Sequence, residues 1–361
     1  MDICESFGTR CKTMKNNIFV FLFLAAILKT ATNVTISCGC HVENCQEDAV
    51  EISMCSLLWR LYLAAVVADQ KQSEITRGMD DDNKARQRHD HLGILGPRSL
   101  PEGASSEYSP NDYKQWAEVF QNIINPLIFY TNSKDFKLLV EKYREKFRNK
   151  TKIILITDRK EFWPFQISKE IQAVFQQPNI PKYYPNTVMP EYSASQHAKY
   201  AVLADAFKQN IFHTEFYAWL NVGYFGDATC EGENHYFRMN PPPEVDKTRL
   251  SINLVNQSLT KNVSFDSIYK EKYVWVGGGM LVATKDVFLK FERLYHRAVV
   301  YFLRRRLMNS DQQLIYGIYC DEGRRVFSPE VNLQLFWSSG FRKVWTRNTW
   351  FYLGYLCLED I

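Results

Sequence analysis

The chain has 361 residues, 46% of them hydrophobic and 14% aromatic, enough to build a substantial core and too apolar for a disordered chain. Forty-four basic residues stand against 40 acidic ones, a net charge of +4, which excludes the strongly basic footprint of a dedicated nucleic-acid binder.

Arg10, Lys12 and Lys15 precede an unbroken apolar run at 18–28, IFVFLFLAAIL, which Lys29 closes. As a helix the run would span about 16 Å against roughly 30 Å of bilayer hydrocarbon. It is therefore short for a spanning helix and suits a signal-peptide core over residues 1–32, with KTATN as the cleavage zone, or a short uncleaved signal anchor. Either use sends the chain into the secretory pathway: the ER/Golgi lumen, a type II anchored state, or secretion. Four sequons, at Asn33, Asn149, Asn256 and Asn262, fit a lumenal protein carrying N-glycans. So does the cysteine usage. Cys38, Cys40, Cys45 and Cys55 cluster in a lumenal segment at 33–68, and Cys230, Cys320 and Cys357 are scattered. CGCHVENC matches no zinc-finger spacing, so disulfides are the expectation. The seven cysteines beyond the leader are an odd number, leaving at least one free or intermolecular.

Residues 54–68, MCSLLWRLYLAAVVA, hold Arg60 near their middle. A charge at a bilayer centre costs at least about 2.5 kcal/mol, so the segment reads as a lumenal amphipathic helix rather than a membrane segment. Residues 69–112 are polar, charged and rich in Gly, Pro and Ser, a flexible stem that cannot offset its ordering entropy. The D-x-D at Asp80–Asp82 lies in that stem and reads as solvated linker.

From Tyr113 to Ile361 the pattern becomes regular. Tyr113, Trp116, Ala117, Phe120 and Ile124 share one helical face, which Pro126 ends. PLIFYTN reads as a strand, SKDFKLLVEKYREKF as a helix capped by Asn132 or Ser133, and KIILITD as a strand. SASQHAKYAVLADAFKQN is helical, FYAWLNVG a strand, and YVWVGGGMLVA a strand with a glycine interruption. A long helix capped by Thr284 follows, then another opened by a capping box from Ser310 to Gln313. Alternating strands and helices predict an α/β domain with a mostly parallel sheet, its ligands beyond the strands' carboxyl ends.

Three breaks in this pattern are candidate sites. In WLNVGYFGD, Asn221 and Asp227, with turn glycines Gly223 and Gly226, have the oxygens to ligate a divalent cation or sugar hydroxyls; alternatively Asn221 only bonds the strand-end backbone. Gly277–Gly279 imply either a closely approaching ligand or a packing bulge, and no P-loop or G-x-G-x-x-G spacing accompanies them. Asp311 and Gln312 open a helix, where an acid suits the macrodipole whatever else it does. Lys199, beside His197, either faces solvent or reaches the cleft. Arg304, Arg305 and Arg306 read as a solvated helix end. Neither H-E-x-x-H nor G-x-S-x-G occurs, which excludes the commonest zinc-hydrolase and α/β-hydrolase signatures.

Taken together, MPEYSASQHAKYAVLADAF, FYAWLNVGYFGD, YVWVGGGMLVATKDVFLKF and LMNSDQQLIYGIY resemble, in order and spacing, the HtrL/YibB-like family over Tyr113 to Tyr319. Its members are inferred to be glycosyltransferases. The resemblance implies a GT-A-like, Rossmann-like nucleotide-diphospho-sugar transferase fold, a divalent cation (Mg2+ or Mn2+), a nucleotide-diphosphate sugar donor, and a glycan or protein acceptor. The family's W-[IL]-D-x-G-Y segment falls on Trp219 to Tyr224, its glycine strand on Gly278 and Gly279, its N-x-D-Q segment on Asn309 to Gln312, and its lysine on Lys199. By that analogy position 221 touches metal and diphosphate, Lys199 neutralises phosphate, and Gly278, Gly279 and Gln312 line the donor site around a catalytic Asp311.

The chain departs from the family pattern twice. The opening strand, ending in a D-I-[GN]-R-like segment, has no counterpart before Tyr113. The family's acid at 221 is here Asn, whose amide oxygen coordinates a hard cation without charge. Both departures point towards weakened or lost activity, or to a non-catalytic lumenal or secreted carbohydrate-binding or interaction protein on a degenerate transferase fold.

Overall fold

Short, wholly apolar runs such as LIFYT and FYAWL are what a strand buried on both faces requires, and they form the middle of a seven-stranded sheet. A computed structural model describes residues 19–25, 110–225, 236–338 and 350–360. In chain order the elements are β1 (Phe19–Ala25), α1 (Pro110–Trp116) continuing as a 3-10 turn (Ala117–Gln121), β2 (Leu127–Thr131), α2 (Lys134–Tyr143), β3 (Thr151–Leu155), α3 (Trp163–Gln166) and α4 (Ser168–Phe175). Next come α5 (Pro190–Gln209), β4 (Phe216–Leu220), β5 (Phe237–Met239), β6 (Arg249–Leu254), α6 (Phe265–Lys270), β7 (Val276–Thr284) and α7 (Lys285–Arg304). The chain closes with α8 (Asp311–Tyr319), α9 (Asp321–Phe327), β8 (Asn332–Phe336), α10 (Tyr352–Cys357) and β9 (Leu358–Asp360).

The large sheet has the order β3-β2-β1-β4-β7-β6-β8. Pairing is parallel throughout except that β7 runs against both neighbours, β4 and β6. The fold is thus mixed α/β, and the alternating pattern from Tyr113 onward was a sufficient guide to it. Side chains alternate across the sheet into two cores. One joins Tyr217, Trp219 and Leu281 to α4, α5, α7 and α8; the other joins Phe216, Ala218 and Met280 to α1, α2 and α10. β5 and β9 form a separate antiparallel pair.

β1 departs most from the sequence reading. Residues 19–25 belong to the apolar run set apart as a leader, yet here they form a central strand, paired with β2 (Leu22 opposite Ile128) and with β4 (Leu22 opposite Trp219). A continuous apolar run satisfies either use, because burial on both strand faces and burial in a leader demand the same composition. The rest of the expected leader, the 33–68 segment, residues 69–109 of the stem, and Asp80–Asp82 lie outside the described residues. Among the described residues no helix is long and apolar enough to cross a membrane.

Smaller differences have local causes. Ser133 caps α2, accepting from the Phe136 amide at 3.2 Å, whereas the expected capping box at Ser310 does not form: its hydroxyl donates to Gln313 Oε1 at 2.6 Å instead. Thr284 precedes α7 without a side-chain cap, donating to the Lys247 carbonyl at 3.2 Å. What opens after Ser310 is two helices rather than one: the extended backbone of Cys320 (ψ 167) separates α8 from α9. Cys320 and Cys357 are buried and free; the other cysteines lie outside the described residues.

Candidate functional site

The strand order fixes where a ligand would meet this sheet. From β1 the chain moves outward through β2 and β3, then returns to place β4 on the other side of β1. The carboxyl ends of β1 and β4 therefore mark a topological switch point, where open α/β sheets bind their ligands. Asn221 is the first residue after β4.

Asn221 is half-buried and well anchored. Its backbone N–H donates to the Gly279 carbonyl at 2.9 Å, and its own carbonyl accepts from the Tyr224 amide at 3.0 Å. Its side-chain Oδ1 accepts from Trp219 Nε1 at 2.8 Å. Residues i and i+2 of a strand share a face, so this indole partner was readable from the spacing W-L-N although the sequence reading missed it. The backbone-bonding alternative for the side chain is replaced by an indole donor.

Beside it, β7 carries the glycines through a bulge. Its register against β6 shifts so that Asn253 faces Gly277 while Ile252 faces Leu281. The bulge is also a close approach: a Cβ at Gly278 would lie 2.3 Å from Asp311 Oδ2 and 2.9 Å from Lys199 Nζ. Only glycine fits there. At Gly279 a Cβ would meet the Tyr224 ring at 3.1 Å, a tighter contact than side chains normally accept. Both of the readings left open for this segment therefore hold in part, except that protein side chains are what approaches Gly278.

Those side chains form a buried ion pair. Lys199, 3% exposed, reaches from α5 to donate to Asp311 Oδ2 at 2.8 Å and to the Gly278 carbonyl at 2.8 Å. Its ammonium also lies 5.9 Å from the Trp219 ring and 6.0 Å from that of Tyr200. Tyr200 donates to the same Asp311 oxygen at 3.4 Å, and its phenol is pushed far above its ordinary pKa by burial and by the Asp311 charge. Asp311 opens α8, so the helix dipole adds to the support of its carboxylate. Lys199 thus neither faces solvent nor lines an open cleft.

A further shell lies beneath. Tyr200 packs against Tyr295, ring centroids 3.9 Å apart, and Tyr295 OH shares a 2.6 Å hydrogen bond with His197 Nδ1. Complete burial pushes His197 down to a pKa of about 4, so it is neutral at ordinary pH and acts as a packing and hydrogen-bonding group. Tyr200 and Tyr295 were not singled out in the sequence; their signal is the same α5 and α7 face that builds the core.

The structure therefore gathers Lys199, Gly278 and Asp311 into one contact cluster, with Asn221 and Gly279 bonded to each other alongside. Gln312 is half-buried next to Asp311 and accepts from Ser310 Oγ at 3.4 Å. Asp227 and Gly226 lie outside the described residues. Among the described residues no group of three or more His, Cys, Asp or Glu side chains is arranged to hold a metal ion.

Comparison with known proteins adds one finding. No curated protein matches the chain. A family model described as "Bacterial protein of unknown function (HtrL_YibB)" matches residues 102–323, a stretch that holds Lys199, Asn221, Gly278, Gly279, Asp311 and Gln312 but not β1. By that match over more than half of its length, the chain belongs to the HtrL_YibB family.

Proposed function

We propose that this protein is a GT-A-like glycosyltransferase homologue that binds a nucleotide-diphosphate sugar and serves a glycan or protein acceptor, with activity weakened by the amide at 221. The observation that carries this reading is the position of Asn221 at the switch point between β1 and β4, with the glycine bulge and the Asp311 helix start beside it.

The donor chemistry can be weighed residue by residue. Asn221 Oδ1 keeps one lone pair after accepting from Trp219, and Asp311 is already neutralised by Lys199. These two alone are a poor set for a divalent cation. A cation would be held by Asn221 together with Asp227, whose carboxylate lies outside the described residues. Such a cation supplies positive charge where the departing diphosphate becomes negative. The Lys199–Asp311–Gly278 cluster holds the glycine bulge and the first turn of α8 in fixed relation, so that Gly279 and Gln312 present backbone and amide groups to the donor sugar. Lys199 contributes to the site as a brace for Asp311 rather than as a free phosphate ligand.

One observation favours a second reading, a non-catalytic carbohydrate-binding protein on the same scaffold. The indole bond gives Asn221 a structural task that needs no ligand. Calorimetry of the full chain with UDP, GDP and their sugars, with and without Mn2+ or Mg2+, separates the two. Metal-dependent nucleotide binding is expected, and Asn221→Asp should tighten it by at least about 10- to 100-fold, the scale that even an outer partner of a metal ligand carries. Failure of every nucleotide to bind would sink the transferase reading; nucleotide-free binding of glycans alone would establish the second.

For location we propose the secretory pathway on the sequons alone, since a run built into β1 is not free to be cleaved as a leader. Asn149 and Asn262 are exposed, so their sequons are open to a glycosyl-transfer enzyme, whereas Asn256 is half-buried with its side-chain oxygen bonded to the Ser258 amide. Expression in a secretory host should give glycosidase-sensitive mass at Asn149 and Asn262. An unglycosylated product would refute lumenal entry.

A further inference from the structure

The arginines of α7 and α9 are a group of exposed charge that the site does not use. On α7, Arg293, Arg297 and Arg304 are all exposed and, at 100° per residue, fall within about 40° of one another around the helix. They make a stripe about 16 Å long. Arg305 and Arg306, also exposed, continue it past the helix end. The end of α9 meets it: Arg297 Nη2 donates to the Phe327 carbonyl at 2.7 Å, and the Phe327 ring packs on Tyr301 at 5.1 Å and Phe302 at 5.6 Å. Arg324 and the exposed Arg325 stand three and two residues before that contact.

Among the described residues these arginines hold no carboxylate, whereas Lys137, Lys247, Arg249 and Lys270 elsewhere on the surface each do. The acids nearest in the chain are otherwise engaged or peripheral: Glu292 accepts from Trp163, Glu322 from the Phe265 amide, and Asp266 is taken by Lys270. Asp321 and Glu330 remain as the opposing charges. Two guanidiniums are held in place by aromatic rings, Arg305 lying 5.5 Å from Phe265 and 5.6 Å from Tyr301, and Arg324 lying 5.4 Å from Tyr319. Such pinning lowers the entropy lost on binding an anion.

We infer that this α7–α9 ridge is a docking surface for a linear sulfated polysaccharide. Guanidinium forks match the oxyanion geometry of sulfate with paired hydrogen bonds, and a row of them matches a chain of regularly spaced sulfates. Single-stranded nucleic acid fits less well, because the rings at the ridge are already covered by Arg305 and Arg324, leaving no platform for base stacking. An anionic membrane fits less well because Val326, 43% exposed, is the one large apolar side chain on the ridge that is open to insertion. The inference does not depend on transferase activity, since the ridge contains none of the residues of the switch-point site.

The test uses the full chain and heparin oligosaccharides, without metal or nucleotide. Wild type should bind at 150 mM salt with an affinity that falls steeply as salt rises. The triple variant Arg293→Gln, Arg304→Gln, Arg325→Gln changes three exposed side chains that hold no hydrogen-bond partner among the described residues. It should keep the wild-type melting temperature and bind about tenfold more weakly or worse. Absence of wild-type binding, or unchanged binding by the triple variant, would overturn the proposal. Tighter binding of single-stranded DNA or of phosphatidylserine vesicles than of heparin would overturn the choice of partner.

Discussion

Leu22→Pro should abolish cooperative folding of the entire domain, although it lies in a segment that reads as a leader. Residue 22 stands in the central strand β1, paired on one side with Ile128 and on the other with Trp219. Proline cannot donate to the ladder and is found in sheets only at edges and bulges. In a strand paired on both sides it removes a ladder hydrogen bond and leaves a neighbour's carbonyl without its donor, a loss set against the roughly 5 to 15 kcal/mol by which domains are stable. Further loss follows if β1 leaves, since β2 and β4 would each expose a row of unpaired backbone groups inside the protein. Thermal unfolding followed by circular dichroism is the measurement. If residues 1–32 are instead removed as a signal peptide, Leu22→Pro is absent from the mature chain and its melting curve will match wild type. The two uses of residues 19–25 exclude each other in any one molecule, so the result also bears on secretory targeting, and mass determination of the purified N-terminus reports which use prevails.

The second large effect is expected at the buried ion pair. Lys199→Met leaves Asp311, 1% exposed, without its ammonium partner. Removing one member of a buried pair costs about 3 to 5 kcal/mol, and for a domain of this size that corresponds to a fall in Tm of roughly 6 to 20 °C. Replacing both members, as in Lys199→Met with Asp311→Leu, should recover much of the loss, because two apolar side chains of similar volume need no desolvation of charge. Gly278→Ala probes the same cluster from the strand side. Its Cβ would stand 2.3 Å from Asp311 Oδ2, so it should be strongly destabilising in wild type and milder when Asp311 is already Ala, a coupling that a double-mutant cycle reads directly. An unaltered Tm for Lys199→Met would mean that the pair is open in solution, and would return Lys199 to the role of a phosphate ligand.

Much of this architecture was legible from residue patterns. LIFYT and FYAWL are apolar without alternation because both faces are covered, and α7 shows its apolar stripe at helical spacing because only one face is covered. α5 was harder to read, since burial nearly all around it removes the periodicity that distinguishes a core-facing side, and the place of Lys199 on it could not be settled. The Ser310–Gln313 spacing has the form of a capping box, but the two side chains bond each other rather than the backbone. Local sequence cannot distinguish these outcomes, because both use the same donors and acceptors.

By itself the sequence determined the α/β class, the order of most elements and the identity of the residues that gather near the carboxyl edge, since periodicity and turn chemistry are local properties. Tertiary structure alone decided three matters. Lys199 and Asp311 became a closed pair because α5 and α8 approach β7 where glycine leaves room. Asn221 became a partner of Trp219 because the strand ends at that residue and the indole is on the same face. The run at 19–25 became β1 because the space between β2 and β4 requires a strand, and an apolar segment from far along the chain supplies one. Composition permits a leader, an anchor or a core strand; the edges of β2 and β4 are what make the strand use available.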